Sequence, residues 1–174
     1  MTADCFRALA ERIVRQDYSA LEEIYSFYGK KIKWAAFNVT GDWGYSEDVL
    51  SEVLIKLWNK AGKFKNVGAP DAFIYKLSKL TAIDYYRAKL KKHKAELRLE
   101  GLTRPPAYND SYTETGFSGM LRPLDAEARE IVIMKIKFGF TYKEIAGLLK
   151  IPPGTASWKY GEALVKLRKA WAGD

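Results

Sequence analysis

The chain has 174 residues, enough for one or two small domains, and 48% of them are hydrophobic, enough for helical cores of modest size. Its 29 Lys/Arg against 21 Asp/Glu give a formal net charge of +8 and a sequence pI of about 9.4, which favours a polyanionic partner. Cys5 is the lone cysteine, which excludes an internal disulfide and a cysteine-cluster metal site and fits a reducing, cytoplasmic compartment.

Almost every patterned segment has helical period. The N-terminus, MTADCFRALAERIVRQD, alternates charged and apolar residues and predicts a helix near 3–15. It has no uninterrupted apolar core and does not resemble a signal peptide; no apolar run approaches bilayer length, so no membrane insertion is expected. Asp17 caps a helix over about 17–38, with Ala20, Leu21, Ile24, Tyr25 and Tyr28 on one face. Gly41-Asp42-Trp43-Gly44 reads as a loop. Ser46 then caps a helix over about 47–61, with Glu47 and Asp48 in its first turn, where the helix dipole favours acids. A loop from Gly62 to Pro70 precedes a long helix over about 71–92. Residues 93–119 hold Pro105-Pro106, three glycines and a run of Asn, Asp, Ser and Thr, which is linker composition, although residues 94–97 can extend the preceding helix. Helices near 126–138, 142–149 and 153–171 complete the chain, Gly139 ending the first of them. There is no strand-like alternation and no internal repeat. The expected architecture is all-α: two small helical modules, 1–92 and 120–174, on a flexible 93–119 tether. Residues 1–92 carry a net charge of +5 and residues 121–174 of +4, flanking a near-neutral connector at −1.

Residues 141–169 are two helices joined by a tight turn. Thr141 and Glu144 have capping-box spacing, Ile145, Leu148 and Leu149 mark one apolar face, and Pro153 sits where a first helical turn tolerates proline. Ala156, Tyr160, Ala163, Leu164 and Leu167 carry the inner face of the second helix. This is either a helix-turn-helix, which places its second helix in the DNA major groove, or a helical hairpin that only packs. In the helix near 47–61, Leu50, Val53, Leu54 and Leu57 form the buried stripe, while Asp48, Ser51, Glu52 and Ile55 form another at i, i+3, i+4, i+7. That second stripe is either a solvated face or a dock for a basic partner. In the long helix, Phe73, Leu77, Leu80 and Asp84 lie along one line and Tyr75, Lys79, Ala82, Tyr86 and Lys89 along another. Cations neutralise phosphates and aromatic rings stack on unpaired bases, so the second line suits opened DNA; the alternative is an amphipathic helix whose tyrosines edge a core. His93, the only histidine, lies in a Lys-rich run and reads as solvated. There is no metal-ligand spacing, phosphate-cradling glycine loop or nucleophile–base pairing, so neither an enzyme nor a cofactor is expected.

In this order the segments resemble a bacterial sigma-70 family transcription initiation factor of the compact extracytoplasmic-function (ECF) group, over roughly residues 14–92 and 120–170. DYSALEEIYSFYGKKI resembles the start of the family's region 2, SEDVLSEVLIKLW its AEDLVQEVFLKLW-like helix, and AFIYKLSKLTAIDYYRAK its WLYRIARNLALDYLRRR-like helix. The segment from Leu121 to Lys169 resembles region 4. The resemblance implies a non-catalytic protein whose partners are core RNA polymerase and promoter DNA, as duplex and melted strand. It implies that Asp48, Ser51, Glu52 and Ile55 contact the clamp helices of the polymerase. The loop from Phe64 to Asp71 and the following helix would capture and melt the minus-ten element, through Lys63, Lys65, Asn66, Tyr75, Lys76, Lys79, Tyr86 and Arg87. Thr155, Ser157, Trp158, Lys159 and Lys166 would read the minus-thirty-five element. Many relatives are held by an anti-sigma protein covering both modules, which a flexible tether permits. The departures are Ser51 for a glutamine, Leu54 for a phenylalanine, Leu80 for an asparagine and Leu124-Asp125 for Leu-Pro. In the recognition helix, Ser157 replaces a lysine, Trp158 a serine and Glu162 an arginine, which removes two cations and should weaken duplex binding and its salt dependence. A helix-turn-helix repressor or activator that never joins polymerase, and a helical protein that sequesters a partner, are the rival readings.

Overall fold

The computed structural model describes residues 1–99 and 116–172, with the side chains of 92–99 and of Ser118 left aside; the central part of the expected tether, 100–115, lies outside the described residues, as does the side chain of His93. The described residues form helices and no strands: α1 (Ala3–Val14), α2 (Tyr18–Thr40), α3 (Trp43–Asn59), a 3-10 turn (Ala61–Lys63), α4 (Pro70–Leu99), α5 (Phe117–Met120), α6 (Ala126–Ile133) running into a π-turn (Met134–Phe138), α7 (Tyr142–Leu149) and α8 (Pro153–Trp171). None of the described helices is long and apolar enough to cross a membrane.

The ends of these helices follow from local chemistry. Thr2 and Asp17 accept from the free N–H groups of Cys5 and Ser19. Gly41 ends α2 in the left-handed region (φ 69°), a conformation without cost only for glycine. The next helix starts earlier than its sequence suggests: Asp42, not Ser46, is the cap, and Trp43 and Gly44 are already helical. Ser46 is instead buried inside α3, its hydroxyl donating to the Asp42 carbonyl at 2.8 Å. Asp42 wins because it stands just after the left-handed Gly41, where the chain changes direction. The α4 helix continues past 93 to Leu99, so its Lys-rich end is helical backbone rather than tether.

Two apolar clusters organise the chain. The first joins α1 to α4 around Phe6, Ile13, Ile24, Tyr28, Ile32, Val53, Leu57 and Ile74, all at most 2% exposed. Each such side chain contributes about 1.5–3 kcal/mol on burial. Tyr25, expected on this face, is instead 51% exposed. The second cluster gathers α6, the π-turn, α7 and α8, but it also contains Ala35 of α2 and Tyr75 of α4. Ile131, Val132, Ile133 and Met134 are consecutive and fully buried, which a helix with one covered face cannot achieve. They are covered because α6 packs on α8 on one side and on α2 on the other.

Candidate nucleic-acid interface

Three helix faces carry the residues singled out by sequence. On α3, burial of Val49, Leu50, Val53 and Leu57 fixes the helix's rotation, and helical period then turns Asp48, Ser51 and Ile55 outward, with Glu52 half-buried beside them. Ile55 is 53% exposed, an apolar member in an acidic stripe. Glu52 pairs only loosely with Lys56 on its own helix, at 3.6 Å, and the Ser51 hydroxyl donates to the Glu47 carbonyl at 3.2 Å. Asp48 accepts a hydrogen bond from the Tyr85 hydroxyl of α4, and this bond to a carboxylate pushes the Tyr85 phenol up to about 12.

The loop after α3 and the outer side of α4 form the second face. Lys63 and Asn66 are exposed and Lys65 half-buried. The loop is pinned at both sides: Arg7 Nε of α1 donates to the Lys65 carbonyl at 3.3 Å, and the Phe64 ring packs on Phe73 at 4.8 Å. At its far end Asp71 accepts from Lys31 at 2.6 Å and from the Tyr28 hydroxyl at 3.3 Å. Lys76 and Arg87 are exposed on α4, with Leu80 (60% exposed) between them, and Tyr86 is half-buried.

Tyr75 and Lys79 do not join that outer surface. Tyr75 is 3% exposed, so of the two readings of this helix the tyrosine that edges a core describes it. The core it edges belongs to the second cluster: its ring meets Phe138 at 5.1 Å and Phe140 at 6.1 Å, both edge-on. Its hydroxyl and the Lys79 ammonium both donate to Glu130 of α6. Burial, reinforced by the neighbouring Glu130 charge, holds the Tyr75 phenol far above its ordinary range.

The third face is α8. The capping box forms as its spacing predicts, Glu144 N–H donating to Thr141 Oγ1 at 3.2 Å and Thr141 N–H to Glu144 Oε2 at 2.8 Å. Lys150 makes the turn in the left-handed region, and Pro153 opens α8. Ala156 and Ala163 face inward, which turns Trp158 (62% exposed) and Val165 (45%) directly outward. Ser157 is exposed and Thr155 half-buried. Both cations of the set lean back on the acids of α6: Lys159 meets Glu127 at 2.6 Å, and Lys166 meets Asp125 at 3.4 Å. With Trp158 and Glu162 these four line a groove of about 200 Å³ between α6 and α8.

Glu130, Tyr85 and Lys137 were not singled out by sequence. Lys137 lies over the rings of Trp34 at 4.6 Å and Phe117 at 4.0 Å, and burial there lowers its pKa. A signal existed for Glu130 alone: it is a carboxylate inside the apolar run EIVIM, where an unpaired acid is too costly to bury.

Sigma-70 region 2 is the family description matched by residues 24–91. Across nearly the whole length the chain is similar to "ECF RNA polymerase sigma factor SigK" of Mycobacterium tuberculosis (strain H37Rv), with 24% identity over 170 residues, 92% of this chain and 90% of that protein. The SigK of Mycobacterium ulcerans (strain Agy99) is 23% identical over 175 residues, covering 95% and 93%. Among solved structures, CnrH in complex with the cytosolic domain of CnrY superposes with a TM-score of 0.62 at 20% identity, covering 98% of this chain and 99% of that one. The sigma factor RpoE of Bartonella quintana, in complex with the anti-sigma factor NepR, gives 0.61 at 20% identity, covering 88% and 97%. The two structural likenesses establish a shared all-helical fold.

Proposed function

We infer that this chain, a sigma-70 family protein of the ECF group, is a transcription initiation factor: it binds core RNA polymerase, takes it to promoters and helps open them. It acts without catalysing a reaction itself and works in the cytoplasm. The observation that carries this reading is the acidic, Ile55-bearing stripe of α3, open to solvent on a protein of net charge +8 and inside the segment that matches region 2. An acidic stripe on a basic protein selects a basic protein surface and repels nucleic acid, so Asp48, Ser51, Glu52 and Ile55 are assigned to polymerase.

DNA engagement then falls to the basic faces. Lys63, Lys65, Asn66, Lys76, Tyr86 and Arg87 surround the loop and outer face of α4, with Tyr75 and Lys79 joining them when α6 moves away. Extruding a base costs a few kcal/mol, which phosphate pairing and stacking along this face offset. Residues 1–92 and 120–174, packed together in the free chain, separate on polymerase as two modules on a tether, and α8 reads the upstream element through Thr155, Ser157, Trp158, Lys159 and Lys166. A protein inhibitor of the kind bound by the Bartonella neighbour is a further expected partner.

Purified chain mixed with core polymerase should co-elute at moderate salt. Failure to bind core contradicts the reading. A stand-alone helix-turn-helix repressor has less support, because Lys159 and Lys166 are already paired with acids of their own module.

A further inference from the structure

Tyr75 and Lys79 lie one turn apart on α4, and both donate to the same oxygen, Oε1, of Glu130. The carboxylate and the phenol are buried, Glu130 9% and Tyr75 3% exposed, while Lys79 reaches in from the half-exposed edge and the rings of Phe138 and Phe140 cover Tyr75. Burying a carboxylate costs several kcal/mol unless charged and hydrogen-bonding partners compensate. Glu130 draws both of these partners from α4 and neither from its own helix. The compensation therefore exists only while α6 stays on α4.

Two donors, one of them cationic, converging on a single anionic oxygen also describe how proteins hold a phosphate oxygen. The exposed Lys76 lies on the same helix, between Tyr75 and Lys79 in sequence, so the surroundings are basic once α6 departs. We propose that Tyr75 and Lys79 form one anion site with two successive occupants: the Glu130 carboxylate in the free chain and a backbone phosphate of the promoter strand in the polymerase complex. Glu130 is then an internal competitor for DNA. This rests on the function proposed above, since it takes α4 as a DNA-facing helix.

The two occupants exclude each other. Apparent affinity for single-stranded DNA is reduced by the fraction of chain that is closed, and removing the competitor restores it. Lys137 of the π-turn lies over Trp34 of α2 in the same packed arrangement, so another cation is covered while the chain is closed.

The test uses the full-length chain without polymerase and a short fluorescein-labelled oligothymidylate, read by anisotropy across a salt series. Glu130→Gln should bind roughly tenfold tighter than wild type, within the usual range of a coupling between sites. Its log–log salt slope should steepen by about 0.7, one phosphate contact on a single strand. Adding Lys79→Gln should remove both gains. Glu130→Asp, which keeps the charge but withdraws it by one methylene, should shift affinity in the same direction and guards against a packing artefact of the first variant. A dye pair on exposed Cys5 and on Ser157→Cys reports closure directly, and the separated population should grow in Glu130→Gln. No gain in Glu130→Gln and Glu130→Asp, or a gain that survives Lys79→Gln, overturns the proposal. Tighter binding with an unchanged dye separation also overturns it, because loss of a negative charge alone would then explain the result. Core binding by the wild-type chain is scored separately: its absence sinks the proposed function, whereas core binding without these signatures sinks only the latch.

Discussion

The acidic face of α3 and the basic faces of α4 and α8 meet opposite fates in one chain. Asp48 and Ile55 are exposed and Glu52 half-buried, and among the described residues the two acids bond to Tyr85 of α4 and Lys56 of α3. Tyr75 and Lys79 are held by Glu130, Lys159 by Glu127 and Lys166 by Asp125. The free chain thus leaves its acidic face open, while Tyr75, Lys79, Lys159 and Lys166, the groups proposed to meet phosphate, are paired internally. The difference argues for an order of events: polymerase first, DNA second.

The comparison breaks most sharply at α3. Asp48→Lys with Glu52→Lys reverses the charge of the stripe, and like charges across an interface cost several kcal/mol, so core affinity should fall at least about 100-fold. Circular dichroism should be unchanged, because both side chains point away from Val53 and Leu57. Retained core binding would remove the stripe from the mechanism.

At α8 the expected effects are smaller and run in two directions. Lys159→Ala should weaken duplex binding about fivefold and flatten its salt slope by about 0.9, one phosphate contact, with core affinity untouched. Glu127→Gln releases the same lysine and should tighten duplex binding by a similar factor. If both substitutions leave duplex binding alone, α8 is aimed elsewhere. Thr141→Ala removes one half of the capping box and should lower stability by about 1 kcal/mol, read as a fall in Tm, without changing core affinity.

The smallest effect concerns the bond that ties the acidic stripe to α4. Tyr85 is raised above its ordinary value of 10.0 to about 12 by its bond to Asp48. A raised acid favours the folded state while protonated. The α3–α4 bond is therefore intact below pH 10 and is lost as pH rises through about 12. A tyrosinate absorbance titration of wild type minus Tyr85→Phe should show a single group ionising near the upper value; ionisation at the ordinary value would mean that the bond does not form in solution.

Helix rotation was legible in sequence for most covered faces, though Tyr25 of α2 and Leu164 of α8, both expected inward, are 51% and 40% exposed. Leu50, Val53 and Leu57 fixed α3, Ala156 and Ala163 fixed α8, and Thr141 with Glu144 fixed the start of α7. Caps were readable except where two candidates competed: Asp42 outranked Ser46 because Gly41 set the turn just before it. The partners of the basic residues were not readable. Periodicity places Tyr75 and Lys79 on a face of α4 but is silent about which distant helix covers it, and Glu130 is far away in the chain. Lys159 and Lys166 were placed near DNA only by the resemblance to region 4, and their pairing with α6 depends on how that helix packs across α8. The four consecutive buried residues Ile131 to Met134 were the one local trace of that two-sided packing, and an apolar run reads the same whether its neighbours come from one module or two.

The order of events is tested most directly by anisotropy and strand-opening fluorescence on duplexes selected from a random pool by the chain together with core polymerase. Free chain should bind these duplexes weakly and leave them paired. Chain plus core should bind them tightly and open them at the minus-ten position. Tight binding of the same duplexes by the free chain, unchanged when core is added, would contradict the account and favour a regulator that never joins polymerase.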